Sequence, residues 1–286
     1  MSDHYRGRFA PSPTGPLHLG SMACAMASFL DARAHDGAWL IRIEDIDPPR
    51  DIPGADKDII DTLGRFHLSS DEPILWQHDR YDHYQAAFDS LVHDGRVYGC
   101  SCTRSQIKTR SEELGLPGGI YPGTCRSGAS ADARSWRFRT DAEPIAFVDR
   151  ACGPYTQSVE KEVGDFVLKR ADGLWAYQLA VVVDDADQGM THIVRGRDLL
   201  DNTPRQIALQ RALGVPTPSY LHIDLVLNNS GQKLSKQQGA ARVPTEAPLS
   251  VLEALWLHLG GEKIGADSLD AFWSIAAQLW GRRYAR

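Results

Sequence analysis

Residues 6–43 constrain the fold of this chain more than any other stretch. RGRFA (6–10) reads as a strand, PSPTGP (11–16) as a turn, the Ala-rich run from Leu17 to Asp36 as a helix, and WLIRI (39–43) as a second strand. Pro16 suits the first turn of that helix and Gly37 its end. This is a βαβ unit, and it predicts an α/β architecture with a parallel sheet. Downstream segments keep the alternation. Helical spacing recurs over ADKDIIDTLGRF (55–66) and from Asp79 to His93, with Gly95 as a stop. WAYQLAVVVDD (175–185) and THIVRG (191–196) restore regular pattern, followed by a helix over 203–214 and a strand LHIDLVL (221–227). Leu179 to Val183 is the longest apolar run that reads as a strand, far short of the ~20 residues of a membrane span. Near the end, Leu269, Phe272, Trp273, Ala276 and Trp280 form a helical stripe that should pack against the body.

With 42% hydrophobic and 24% charged residues among 286, the chain has material for a sizeable core, which excludes disorder and fibre. A net charge of -6 argues against blanket polyanion binding, so any nucleic acid must meet a local patch. One segment supplies such a patch: Cys100 to Thr140 is rich in Gly, Ser, Arg and Cys, has little apolar periodicity, and carries seven cationic against three anionic side chains. The first residues lack the apolar stretch of a secretion signal, which predicts a cytoplasmic protein. In that reducing compartment five cysteines point to metal ligands or buried thiols rather than disulfides.

Neither G-x-G-x-x-G nor G-x-x-x-x-G-K-[ST] occurs. The segment from Arg8 to Ser21 lies instead where α/β sheets present ligands, at the carboxyl end of a strand and the start of a helix. Helix amides there can hold an anion, His18 can donate to a phosphate oxygen, and Gly20 leaves room for a flat base. The plainer alternative is a Pro-rich turn before an ordinary capped helix. Two signatures decide between them. His18-Leu19-Gly20-Ser21 resembles the HIGH motif of class I aminoacyl-tRNA synthetases, and Lys233-Leu234-Ser235-Lys236-Gln237 resembles their KMSKS motif, with Leu234 and Gln237 departing from the usual letters. RFAPSPTGPLHLGS resembles the glutamyl type in particular, and the likeness continues through IRIEDID, YQLAVVVDD, THIVRG and DNTPRQ.

The resemblance implies a Rossmann-like class I synthetase catalytic domain that joins glutamate to ATP, with Mg2+. As the amino-acid carboxylate attacks the α-phosphate, charge builds on oxygens that cations must meet. His18, Gly20, Ser21 and Lys236 are then the ATP-binding residues, and His18, Lys233 and Lys236 the catalytic ones. Arg8, Phe9, Ala10, Pro11, Ser12, Glu44, Tyr177 and Arg195 are implied to contact glutamate, whose carboxylates call for arginine and whose ammonium calls for a carboxylate. Each has a duller reading: Glu44 can pair with Arg42 or Arg50, and Tyr177 can be a core aromatic. Asp184-Asp185-Ala186-Asp187 reads as a solvated acidic loop rather than a cation site.

Cys100 and Cys102, followed by Cys125, give three thiolates in a core-poor segment, a plausible zinc knot. The resemblance supplies Tyr121 as the fourth ligand; His93 is the alternative, and three free thiols the plain reading. Cys24 and Cys152 read as structural. The expected organisation is a first catalytic half (1–99), an insertion with the zinc subdomain (100–175), a second half with the KLSKQ loop (176–240) and a short helical segment (241–286). Only 49 residues follow Gln237, too few for a separate anticodon-binding domain. That pattern resembles truncated members of the glutamyl type. It implies a monomeric ligase that activates L-glutamate without tRNA and attaches it to the queuosine base in the anticodon loop of tRNA(Asp). The alternatives are a minimal enzyme charging a tRNA 3' end and a non-catalytic zinc-containing RNA-binding relative.

Overall fold

A computed structural model describes residues 4–226 and 241–284. The βαβ unit forms as expected: β1 (Arg6–Phe9), α1 (Leu19–Ala34) and β2 (Ala38–Ile43), with β1 and β2 parallel and Arg8 beside Leu40 in register. Pro16 stands before the helix rather than in its first turn, because His18 takes the cap position. Gly37 is required where the chain turns into β2, since a side chain there would meet the Tyr5 carbonyl oxygen at 2.6 Å. Next come α2 (Ala55–Arg65), β3 (Leu75–Trp76), α3 (Tyr81–His93), β4 (Val97–Cys100) and α4 (Arg104–Glu113). They are followed by β5 (Ser135–Phe138), β6 (Ile145–Asp149), β7 (Gly153–Gln157), α5 (Val159–Glu162) and β8 (Val167–Lys169). The remaining elements are α6 (Tyr177–Asp187), β9 (His192–Gly196), α7 (Thr203–Leu213), β10 (Ser219–Ile223), α8 (Pro248–His258) and α9 (Leu269–Tyr284).

One sheet runs β1-β2-β3 and another β7-β6-β10-β9, with β6, β9 and β10 parallel. The two meet edge to edge. The Thr191 N–H donates to the Arg6 carbonyl at 3.0 Å, and the Arg6 N–H donates to Thr191 Oγ1 at 2.8 Å. From β1 the chain crosses through α1 to one side, and from β9 it crosses through α7 to the other. The boundary between β1 and β9 is therefore a topological switch point, where crossovers diverge and leave a crevice beyond the strand ends. A third sheet, β4-β5-β8, is antiparallel. Inside the segment expected to be an insertion, β6 pairs instead with β10 of the main sheet, and β7 adds to its edge through β6.

Burial on both faces follows from the pattern. Met22, Met26 and Leu30 of α1 pack with Trp39, Phe272 and Trp280 on one face. Tyr84, Leu179, Val181 and Ile207 pack on the other. The stripe on α9 docks against α1 as its spacing predicts, and polar contacts fix the angle. Asp31 on α1 accepts from Trp280 Nε1 (2.9 Å), from the Tyr5 hydroxyl (2.6 Å) and from both terminal nitrogens of Arg150. No helix among the described residues is long and apolar enough to cross a membrane.

The run Leu179–Val183 is helical, not a strand. A segment buried on every side carries no period, so its letters cannot distinguish a buried strand from a buried helix, and length decides. Here 11 residues continue to Asp187 before Gly189, at φ 64, ends the pattern. Asp184 and Asp185 belong to the last turns of this helix and are buried, which overturns their reading as a solvated loop. The strand expected at 221–227 begins earlier, at Ser219, and ends at Ile223.

His192 stacks on Tyr5 with ring centroids 4.2 Å apart. Burial, reinforced by the nearby Arg150, lowers its pKa from 6.5 to about 4. The unfolded chain therefore takes up a proton that the folded one refuses. Stability is full above pH 6.5 and should fall as the pH drops from there toward about 4, with no further loss from this group below. Urea unfolding across that window is expected to show the slope in the native protein and a flatter one in His192→Phe.

Candidate functional site

At the switch point lies a cleft of about 360 Å3. Its walls bring together every glutamate- and ATP-binding residue expected from the sequence within the described segments: Arg8 and Phe9 at the end of β1, Ala10, Pro11 and Ser12 after it, His18, Gly20 and Ser21 at the start of α1, Glu44 after β2, Tyr177 opening α6, and Arg195 on β9. Lys233 and Lys236 lie outside the described residues.

His18 is the N-cap of α1. Its Nδ1 accepts the Ser21 N–H at 3.2 Å, and its Nε2 stands 3.1 Å from Ser21 Oγ. With Nδ1 accepting, a neutral ring carries its proton on Nε2. The cap thus occupies one of the free amides that a bound anion would otherwise use, while the dipole of α1 still points at the cleft.

Beneath the cleft is a buried lattice of charge. Asp185 accepts from Arg8 Nε at 3.0 Å and Nη2 at 3.2 Å, and from Arg42 Nη1 at 2.8 Å. Arg42 also reaches Glu44 at 3.1 Å, while Asp184 takes Arg80 at 3.1 Å, Gln77 at 2.7 Å and the Tyr84 hydroxyl at 2.7 Å. Burial pushes Asp185 up, but Arg8 and Arg42 more than offset it and hold the carboxyl below its usual range. For Glu44 burial wins over Arg42 and Arg8, and its pKa is raised. A cation beside Glu44, such as a ligand ammonium, would favour its charged form. Burial likewise raises the Tyr177 hydroxyl.

Arg195 is held differently. Its Nε donates to His222 Nε2 at 3.0 Å and its Nη2 to Thr203 Oγ1 at 2.8 Å, both neutral partners, and its buried Nη1 has no partner among the described residues. His222 in turn lies 2.6 Å from Asp149 through its Nδ1. Burial, against the pull of Asp149, lowers the His222 pKa. Burial raises Asp149, but hydrogen bonds from His222 and the Cys152 N–H outweigh it and bring the pKa to about 2. A buried donor in a side chain that lines a cleft suits an acceptor on a ligand.

Sequence reasoning missed Asp149, Thr203 and His222, which stand behind Arg195, and also Cys24, Asp198 and Asp224 on the walls. Cys24, expected to be structural, faces the cleft from α1. Only the expectation of an arginine partner could have found the buried set, and nothing in their local letters announces it.

The three cysteines also converge. Cys100, Cys102 and Cys125 place their sulfurs within 4.8 Å of one another, with Cys102 and Cys125 at 3.5 Å. The Tyr121 hydroxyl lies 3.3 Å from Cys100 Sγ and accepts the Cys125 N–H at 2.9 Å. Tetrahedral zinc with bonds of ~2.3 Å sets its sulfurs ~3.8 Å apart, so this donor set can close on a metal with small adjustment. Burial raises the Cys125 thiol, yet the Ser101 N–H, Cys102 and Tyr121 bring it down to about 7, toward the thiolate a metal binds. His93, at the end of α3, is not part of the group.

Residues 4–247 match the family model for the catalytic domain of class I tRNA synthetases (E and Q). A glutamyl-Q tRNA(Asp) synthetase of Burkholderia cenocepacia (strain HI2424) is 54% identical, the alignment covering 99% of this chain and 98% of that protein. The protein of the same name from Janthinobacterium sp. (strain Marseille) is 52% identical over the full length of both. Among solved structures, a glutamate tRNA ligase from Elizabethkingia meningosepticum in complex with its amino acid superposes with a TM-score of 0.73 at 28% identity. That match covers 83% of this chain and 53% of the ligase, so the chain spans about half the length of that structure.

Proposed function

Because this chain belongs to the class I tRNA synthetase family for glutamate and glutamine, we propose that it activates L-glutamate with ATP, independently of tRNA, and transfers the glutamyl group to the queuosine base in the anticodon loop of tRNA(Asp). The observation that carries the glutamate reading is the cleft itself. It sets a guanidinium with a nitrogen unpartnered among the described residues, Arg195, in the same walls as Glu44 and a helix N-terminus. Arg195 Nη1 and Arg8 suit the ligand's carboxylates, and Glu44 its ammonium. Tyr177 and Ser12 can donate hydroxyls, while Phe9, Ala10 and Pro11 shape the wall. An oxygen of the α-carboxylate attacks the α-phosphorus, pyrophosphate departs, and a mixed anhydride results. His18, Gly20 and Ser21 are placed to meet phosphate oxygens at the head of α1. Mg2+, when bound with ATP, neutralises the phosphate charge. Lys236, with Lys233, is assigned the same task on the departing pyrophosphate by its sequence motif. In the second step a hydroxyl on the acceptor attacks the acyl carbon and AMP leaves.

The names of the full-length relatives support the tRNA(Asp) acceptor. Cys100, Cys102, Tyr121 and Cys125 are assigned to one structural zinc, and the active form to a monomer in the cytoplasm. Incubation with labelled glutamate, ATP and bulk tRNA carrying queuosine, followed by nuclease digestion, is expected to leave the label on the anticodon-loop fragment. Label on the 3'-terminal adenosine would instead identify an enzyme that charges tRNA ends.

A further inference from the structure

The two arginines of the cleft differ in how much charge they have left to give. Arg8 makes a two-pronged pair with Asp185, so its charge is largely met within the protein. Arg195, only 5% exposed, has no ion pair among the described residues, and its partners His222 and Thr203 are neutral acceptors. Behind His222 stands Asp149, 2% exposed. Its Oδ1 accepts three backbone N–H groups, from Ala151 (3.0 Å), Cys152 (2.8 Å) and His222 (3.2 Å), and its Oδ2 faces His222 Nδ1.

We propose that Asp149 and His222 are positioning residues that present Arg195 to an anionic side chain: Asp149 fixes the imidazole proton on Nδ1, which leaves Nε2 bare to accept Arg195 Nε. A carboxylate in direct contact with Arg195 would hold it as firmly but would cancel its charge. An imidazole between them gives the same anchorage and keeps the guanidinium cationic for the ligand. The buried Nη1 is thereby left as the group that reads a carboxylate in preference to the isosteric neutral amide. This rests on the reading of the cleft as a glutamate site and adds residues that determine its specificity.

Asp149→Asn separates the roles. The three backbone N–H groups hold the amide oxygen at the Oδ1 position, so the NH2 must face His222 Nδ1. The ring can then accept there only by moving its proton to Nε2, where it meets Arg195 Nε–H donor to donor. The same swap of acid for amide disables a triad histidine through the wrong tautomer. Nitrogen-15 NMR of the histidine rings should show His222 protonated on Nδ1 in the native protein and on Nε2 in Asp149→Asn. In glutamate-dependent exchange between ATP and pyrophosphate, the variant should raise KM for glutamate roughly tenfold or more. KM for ATP should change little, and preference for glutamate over glutamine should shrink. His222→Gln, which keeps an acceptor toward Arg195, should retain most of the glutamate affinity. Native His222 protonated on Nε2, or a reversed tautomer with unchanged KM for glutamate, would overturn the proposal. So would equal weakening of ATP and glutamate, which marks a merely structural part. Native protein with the expected tautomer but no glutamate-dependent exchange would uphold the relay and refute the glutamate reading.

Discussion

An Asp185→Asn protein is expected to lose about 3–5 kcal/mol of stability, the cost of leaving buried charge unpaired, and to bind glutamate poorly. Asp185 is the hub on which Arg8 and the fully buried Arg42 both close, at 2.8 to 3.2 Å. Asparagine has almost the same shape, so no cavity opens and the loss reports charge alone. Arg42 feels it most, because the carboxylates of Asp185, Glu44 and Asp184 outweigh its burial and keep its pKa raised. Arg8, released from its two-pronged hold, would no longer face the cleft in one orientation. Two residues on, Asp187 makes an ion pair with Arg80 but is 43% exposed, so water already screens it. Asp187→Asn should cost no more than about 1 kcal/mol. Chemical unfolding of the two variants side by side checks the contrast, and similar losses would show that burial is not what gives the lattice its strength.

That lattice also shows where the sequence could be read and where it could not. The βαβ unit was legible because Pro and Gly punctuate it into segments of strand and helix length, although α1 and β2 are buried almost all round and carry little period of their own. The placing of Arg8, His18, Glu44, Tyr177 and Arg195 in one cleft was legible through motifs, since the family resemblance carried all five. Leu179–Val183 was misread because burial on all sides erases periodicity. Asp184 and Asp185 were misread with it: acidic letters suggest water, and only the fold brings Arg8, Arg42 and Arg80 to them. Asp149 and His222 escaped notice for a related reason. They are 73 positions apart and neither lines the cleft itself, so the role proposed for them exists only once β6 lies beside β10.

Chelation of the proposed metal is expected to release about one zinc per chain and to unfold the segment between β4 and β5, α4 included, while the main sheet persists. The third apolar cluster consists of Cys100, Tyr121 and Cys125, with Tyr98, Cys102 and Ile107 beside it, so its core is the proposed ligand set itself. Three buried side chains of this size contribute on the order of 1–3 kcal/mol each. A structural zinc site is worth about 10–16 kcal/mol at neutral pH, so an ion held there would outweigh apolar contact in the segment between β4 and β5, whereas Phe138 and Leu168 tie β5 and β8 to the second core. By contrast, the cluster around Trp39, Phe272 and Trp280 has the dense packing of an ordinary core and needs no metal. Hydrogen exchange distinguishes the two regions. In Cys100→Ser, or in chelated native protein, amides of α4, whose Ile107 packs on the cysteine cluster, should lose protection while those of α1 and β2 keep theirs. Full protection of α4 in metal-free protein would mean that hydrogen bonds such as those of Asp165 with Tyr98, Arg126 and Thr140 suffice, and that the cysteines are three reduced thiols brought together by the fold.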